Sequence, residues 1–290
     1  MKKILFLFAL SALITGVQAQ DVFYTYYADG DVRTFPVTGI DSISVVKPDS
    51  VVIDPCGNMY HMVKIGDQVW LKENMRCNKY DTESEPYKEG VISIPFYKEY
   101  GPVCNYYEKC GNLPYYYINY IEDFDNDTVR AEYLYNWAAV FGYMTKNEID
   151  AYECNNSRIQ GICPNGFHVP HISDFWELSN SIGCDNNCRR GYLLKSKSGW
   201  NYNGTDVFGF CGLPSGRLTK TSQYDPDLGK VIVKTTITTE DLILVSATID
   251  CMRTHRILVS TLTDDGDYFK NYDFFGNYQD GYAVRCIKNK

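Results

Sequence analysis

The chain has 290 residues and a formal net charge of −8 at pH 7, and 25 of its residues are tyrosines. A chain with this negative charge is repelled by the phosphates of nucleic acid, and we therefore expect no nucleic-acid partner. Tyrosine offers a large, rigid contact area with a polar tip, which suits binding surfaces. Aromatic residues also favour β-strands, and the composition leaves both roles open.

The first 19 residues predict a secretory signal peptide. Lys2 and Lys3 precede the apolar run 4–14, and Ala19 ends a segment typical of a signal-peptidase site. The apolar run is too short for a transmembrane helix, and no later stretch is long and apolar enough to span a bilayer. The sequence therefore predicts a secreted or cell-surface protein without a transmembrane segment.

Residues 20–50 predict a small N-terminal β module followed by a linker. The sequence pattern predicts strands at 23–27, 32–37 and 42–46, with a turn at Asp29-Gly30. Residues 47–50 have the composition of a linker. So few residues cannot enclose a hydrophobic core alone.

The pattern of β-forming and helix-forming segments in the main body predicts an α+β fold. Gly66-Asp67 joins β-formers at 59–65 and 68–71 in a second hairpin. Residues 78–130 show no sustained period, and we interpret them as a long insertion. We expect helices in 133–141, from an N-cap at Ser173 to Gly183, and in 192–195, and strands at 242–247, 256–260 and 282–287. Blocks of helices and strands argue against a β-α-β repeat.

The chain contains 11 cysteines. Export permits disulfides, and an odd number leaves at least one thiol unpaired. Cys163 and Cys286 are the candidate structural disulfide, because both lie among turn and β-forming residues. If they pair, they close about 120 residues into one loop, and the last strand returns to the middle of the fold.

Ten short motifs occur in the order typical of a known family. They read VKIGDQVW at 63–70, ENMR at 73–76, LYNW at 134–137, CPNGFHVP at 163–170, LKS at 194–196, GW at 199–200, GTD at 204–206, GF at 209–210, LPSG at 213–216 and GYAVRC at 281–286. Together they make residues 54–288 resemble the Fibrobacter succinogenes major paralogous domain.

The resemblance implies an exported domain with a C-type-lectin-like fold. Such a fold has two short helices, antiparallel strands and long irregular loops, with its terminal strands side by side. A binding role follows only by analogy of fold. The chain departs from the family pattern in its longer insertion at 78–130 and in the strand 242–247, which lacks the usual Trp.

Catalytic and metal-binding motifs are absent from the sequence, so we expect no enzyme, no metal and no cofactor. Sulfatase-modifying enzymes of the same broad fold use a cysteine pair before a similar C-terminal motif, but here only Cys251 precedes Cys286. The acidic run at Asp123, Asp125 and Asp127 lacks the Gly and Glu of a calcium loop, which favours a solvated loop.

The segment 264–280 interleaves aromatic and polar residues just before the last expected strand. The candidate ligand contacts are Tyr268, Asn271, Tyr272, Asp273, Phe274 and Tyr278. Rigid aromatic anchors among adaptable polar groups are typical of a binding surface. The alternative is a set of strands whose rings face the core.

The leading functional hypothesis is an adhesin-like, non-catalytic binding module for an extracellular protein or glycan. The second is a structural or assembly subunit of a surface appendage, in which the strands of residues 23–46 pair with a neighbour's sheet edge. An enzyme is the third.

Overall fold

The computed structural model describes residues 22–26, 32–36, 51–88, 90, 92–96, 114–123, 128–142, 158–184, 187–227, 229–249, 257–276 and 279–290. Within these ranges, no helix is both long and apolar enough to cross a membrane. The chain divides into two compact units, Met1–Lys47 and Pro48–Lys290.

The first unit contains a β-hairpin. Strand β1 (Val22–Tyr26) pairs antiparallel with β2 (Val32–Pro36), so the hairpin predicted here is confirmed. The expected signal peptide and the strand at 42–46 lie outside the described residues.

The second unit is a mixed α+β fold of mostly antiparallel strands, which confirms the fold class at that level. Its described helices are α1 (Glu85–Lys88), α2 (Trp137–Phe141) and α3 (Ile172–Ser181), whereas the family resemblance implied two short helices. Its described strands are β3 (Val51–Ile53), β4 (Met59–Ile65), β5 (Gln68–Leu71), β6 (Tyr116–Asp123), β7 (Thr128–Tyr135), β8 (Phe167–His168), β9 (Asn187–Cys188), β10 (Arg217–Asp225), β11 (Lys230–Thr238), β12 (Leu242–Ile249), β13 (Ile257–Leu262), β14 (Phe269–Gly276) and β15 (Ile287–Lys288).

One sheet joins both ends of this unit, in the order β3-β4-β5-β15-β8. β4 and β5 form the hairpin predicted around Gly66-Asp67, with the expected bounds. β15 lies between β5 and β8, and Ile287 is opposite both Trp70 and His168. The end of the chain is therefore inserted between strands from its first half and its middle.

The strand expected at 282–287 is only partly formed, so that prediction is wrong in its extent. Tyr282 and Ala283 make isolated bridges to Tyr135 and Leu244, and regular pairing begins only at Ile287. The segment changes its partner strand from one residue to the next, so no continuous ladder forms along it.

Two disulfides join cysteines that the structure describes, and one of them ends within segment 282–287. Cys163 and Cys286 are bonded, with a separation of 123 residues along the chain. Both are fully buried. A second disulfide, which the sequence did not single out, joins Cys56 and Cys77.

Two groups of buried side chains fill the unit. One surrounds Trp70, whose ring centre lies 5.5 Å from that of Phe175 and 5.9 Å from that of Phe210. The other surrounds the Cys163–Cys286 disulfide and includes Tyr135. Trp70 Nε1 donates to Gln68 Oε1 at 3.0 Å, so the buried indole keeps a hydrogen-bond partner.

Helix α3 is capped by His171, and the predicted N-cap at Ser173 is wrong. The Ser173 amide donates to His171 Nδ1 at 3.2 Å, and the His171 amide donates to the Asp174 carboxylate at 2.8 Å. A reciprocal cap of this kind needs an acceptor three residues after the cap, a spacing that His171 and Asp174 satisfy.

A single 3₁₀ turn, Gly191–Leu193, replaces the helix expected at 192–195. The Gly191 amide donates to the carbonyl oxygen of Asp267 at 2.6 Å. A Cβ at Gly191 would lie 2.7 Å from the Tyr268 carbonyl oxygen. A side chain at position 191 would therefore collide with the loop before β14.

The stretch 78–130 is more ordered than the sequence indicated. Its described parts include α1 and β6, and β6 pairs with β7 without interruption from Tyr116 opposite Tyr135 to Asp123 opposite Thr128. The long insertion therefore contains a helix and a regular strand within its described residues.

Strands β10 and β11 form a two-stranded antiparallel ribbon, and β10 carries a partly buried lysine, Lys220. Lys220 Nζ lies 4.2 Å from the centre of the Tyr115 ring. Burial lowers the pKa of Lys220 from 10.5 to about 8, against the opposing effect of Asp280. Between about pH 8 and 10.5 the unfolded chain binds this proton more strongly, so this lysine makes the folded state more stable as pH rises through that window.

We expect NMR of selectively labelled protein to show Lys220 titrating near pH 8, with Lys220→Arg identifying its signal. The Lys220→Met variant should lose the part of the stability increase that this lysine supplies between pH 8 and 10. A titration near pH 10.5 would contradict the burial of this amine.

Candidate binding surface

The segment before and within β14 contains most of the predicted ligand contacts. Tyr268 is half-buried, with the Arg189 guanidinium carbon 5.1 Å and Lys270 Nζ 5.5 Å from the centre of its ring. Cations near an aromatic face attract it. Tyr268 is therefore held in place and only partly open to solvent.

Asn271 faces inward. Its Nδ2 donates to Ser179 Oγ at 2.7 Å and to the Phe175 carbonyl oxygen at 3.3 Å, so it joins β14 to α3. We therefore do not count it among ligand contacts. The backbone of Tyr272, Asp273 and Phe274 lies in β14, but the structure does not describe the side chains of these three residues. Tyr278 lies outside the described residues.

A buried ammonium holds the loop before β14. Lys195 is fully buried, and its Nζ donates to the carbonyl oxygens of Gly266 at 2.6 Å and Tyr202 at 3.3 Å. The same atom lies 4.6 Å from the centre of the Trp200 ring. Burial lowers the pKa of Lys195, and nearby carboxylates, led by Asp264, oppose the shift.

A second aromatic surface lies on the ribbon of β6 and β7. Alternate residues of a strand face opposite sides, and Tyr120 and Val129 on one side are 65% and 63% exposed. Phe96, 45% exposed, bridges to the first residue of β6. We call the apolar and phenolic residues of this side the aromatic face: Phe96, Tyr116, Ile118, Tyr120, Val129, Ala131 and Tyr133. Glu122, opposite Val129, lies on the same side at the outer end of the ribbon.

The rings at the base of the aromatic face pack on one another. Tyr116 and Tyr133 are stacked, with ring centres 5.2 Å apart and planes 2° from parallel. Phe96 meets Tyr116 edge-on at 5.3 Å. Such pairs add to the stability gained from burial alone. The base of the face is therefore rigid, while Tyr120 and Val129 extend into solvent.

The opposite side of the ribbon is fixed to the body by polar contacts. Asn119 Nδ2 donates to the carbonyl oxygens of Ser215 at 2.9 Å and Thr238 at 3.2 Å. Arg130 donates to Glu132 at 2.8 Å and also to the Pro214 carbonyl oxygen. These contacts hold the ribbon so that its aromatic face points outward.

The aromatic face is uncharged at its centre. Burial raises the pKa of Tyr133, and the neighbouring hydroxyls of Tyr116 and Tyr120 raise it further. Tyr133 therefore presents a neutral phenol. A neutral, ring-rich surface can make apolar contacts together with single hydrogen bonds from its hydroxyl groups.

Asp54, Cys56 and Cys77 have ligand atoms close enough together to hold a metal ion. The two sulfurs form a disulfide, so neither is a thiolate. The Asp54 carboxylate accepts hydrogen bonds from the Cys56 amide and the Tyr60 hydroxyl. This cluster is a cross-linked turn, and its residues do not fit a metal centre.

His168 and Asp174 are a second group of residue types that could take part in acid–base chemistry. His168 Nε2 lies 3.4 Å from Asp174 Oδ2, and its Nδ1 lies 2.7 Å from Asn289 Oδ1. Burial tends to raise the pKa of Asp174, but the hydrogen bonds from His168 and from the His171 amide outweigh it and lower that pKa. The carboxylate serves the cap of α3 and anchors the imidazole.

A model of the Fibrobacter succinogenes major domain family matches residues 63–288, which is most of the chain. The chain belongs to this family. No curated protein and no solved structure matches it. The family domain includes the aromatic face and the motifs at both ends of the Cys163–Cys286 disulfide.

The aromatic face lies within the family domain but was not among the sites predicted from the sequence. Residues 116–123 and 128–135 are both rich in β-forming residues, and Asp125-Asn126-Asp127 between them is a turn signal. Read together, these features predict a hairpin. The surrounding Tyr, Asp and Asn residues hid this pattern when the whole stretch was taken as one insertion. Cys251 and the acidic positions 125 and 127 lie outside the described residues.

Proposed function

We propose that this protein is an exported, adhesin-like and non-catalytic binding module, whose aromatic face holds an extracellular protein or glycan. The exposure of Tyr120 and Val129 beside stacked tyrosine rings carries the proposal. A tyrosine loses little conformational freedom on binding, because it has few rotatable bonds. Rings already packed at the base lose still less.

The proposal extends to the fold and the location of the protein. The pairing of β15 with β5 and the Cys163–Cys286 disulfide support a C-type-lectin-like fold with returning ends. The apolar run after Lys2 and Lys3 supports export. Disulfides persist in the oxidising conditions that an exported protein meets.

The non-catalytic role is also part of the proposal. The Asp174 carboxylate, 3.4 Å from His168 Nε2, is used in the helix cap, and Cys56 and Cys77 are bonded to each other. These uses favour structural roles for the residue types that catalysis would need. We propose no cofactor for the aromatic face, because its side chains are apolar or phenolic.

The test is a screen of the purified mature protein against glycan and extracellular-protein arrays. We expect Tyr120→Ala to weaken binding of the identified ligand by at least tenfold, as for a central contact residue. Tyr202→Ala is the matched control, since that tyrosine is 64% exposed but lies outside the aromatic face. It should bind as the parent does.

Thermal unfolding of both variants separates binding from stability. Because both tyrosines are largely exposed, neither change should shift the unfolding midpoint appreciably. The proposal is wrong if Tyr120→Ala and Tyr202→Ala bind equally well, or if the arrays show no ligand.

A further inference from the structure

The outer edge of β6 presents backbone groups away from β7. The Tyr115 carbonyl oxygen accepts from the Asn136 amide, toward β7, whereas the Tyr116 amide donates to the Pro95 carbonyl oxygen, away from it. Because successive residues of a strand point their amides to opposite edges, Ile118, Tyr120 and Glu122 also point outward.

These outward groups have no hydrogen-bond partner anywhere in the part of the chain that the structure describes. The ladder of β6 with β7 uses the alternate residues, and no other backbone bond reaches Ile118, Tyr120 or Glu122. An open strand edge is a template for pairing with another chain.

The foot of this edge is already paired within the protein. Phe96 forms a parallel bridge with Tyr116, and the Tyr116 amide donates to Pro95 at 3.2 Å. Among the described residues, the edge of β6 is therefore paired at Tyr116 and open beyond it. A strand from another molecule could continue the same line.

We propose that an extended polypeptide segment of another molecule pairs with the edge of β6 at Ile118, Tyr120 and Glu122. This inference rests on the proposed function and selects protein over glycan as its ligand. Outward groups recur about every 6.8 Å along a strand, and an extended peptide matches that repeat with its own amides and carbonyls. Its alternate apolar side chains would pack on Phe96 and Tyr120 of the aromatic face.

A phage-displayed library of random 12-residue peptides, selected on the mature chain, tests the proposal. We expect enriched peptides to alternate apolar and polar residues. Tyr120→Ala removes the ring, and Tyr120→Pro removes both the ring and the outward amide. Proline is tolerated where an edge amide faces solvent, so the β6–β7 ladder should survive.

We expect Tyr120→Pro to weaken peptide binding at least tenfold more than Tyr120→Ala does. Glu122→Pro is a second variant in case Tyr120→Pro unfolds the ribbon, and amide hydrogen exchange in β7 reports whether the ladder persists. The inference is overturned if no peptide is enriched, or if Tyr120→Pro binds as well as Tyr120→Ala. Where Tyr120→Pro unfolds the ribbon, it is overturned if Glu122→Pro binds as well as Glu122→Ala. A glycan that requires the Tyr120 ring but not its amide would overturn it while leaving the proposed function intact.

Discussion

Removing the Cys163–Cys286 disulfide will lower the free energy of unfolding by about 4–5 kcal/mol in the chain-entropy model. The two residues are 123 positions apart, so their bond restricts nearly half of the unfolded chain. The double variant Cys163→Ala with Cys286→Ala avoids leaving a reactive thiol at either position. Equilibrium unfolding in urea, compared with the parent, gives the difference directly.

The disulfide between Cys56 and Cys77 is the matched control. Its residues are only 21 positions apart, so the same model gives a loss of about 3 kcal/mol for Cys56→Ala with Cys77→Ala. The long-range bond should therefore have the larger effect. Equal losses, or a larger one at Cys56 and Cys77, would show that local packing outweighs loop entropy in this protein.

Trp70→Ala will destabilise the protein by about 3–5 kcal/mol, the usual cost of emptying a buried tryptophan site. Trp70 is fully buried, lies opposite Ile287 in the central sheet and packs on Phe175 and Phe210. Its removal therefore loosens the contact of that sheet with α3. Denaturant unfolding measures the loss.

Two further variants show whether burial is the cause. Trp70→Phe keeps an aromatic ring but loses the bond from Nε1 to Gln68, so its loss should be smaller than that of Trp70→Ala. Tyr202→Ala removes an exposed ring and should change stability by no more than about 0.5 kcal/mol. A loss below about 1 kcal/mol for Trp70→Ala would mean that the site is not tightly packed.

Local patterns in the sequence predicted the local elements of the fold well. The hairpin of β4 and β5 follows from alternating residues around Gly66-Asp67, and the apolar run of β12 predicted a core strand. The cap of α3 was misplaced because His171 serves through its ring nitrogen, a less common acceptor at that position than Ser or Asp.

Long-range features depend on contacts that no local pattern contains. Segment 282–287 is extended, but its partners lie on four strands, β5, β7, β8 and β12, so strand propensity overstated its ladder. Asn271 resembled a surface contact because it lies among aromatic residues, yet pairing of β14 with β13 places it against α3. The aromatic face needed the register of β6 with β7, which fixes the residues that share one side.

The buried ammonium of Lys195 has a consequence for the conditions in which the loop before β14 keeps its shape. Its positive charge is covalently part of the chain and is held by the carbonyl oxygens of Gly266 and Tyr202. Unlike a bound metal ion, this ammonium group cannot be removed by a chelator or by dilution. The Lys195 tether should therefore hold this loop equally well in calcium-rich and calcium-poor surroundings.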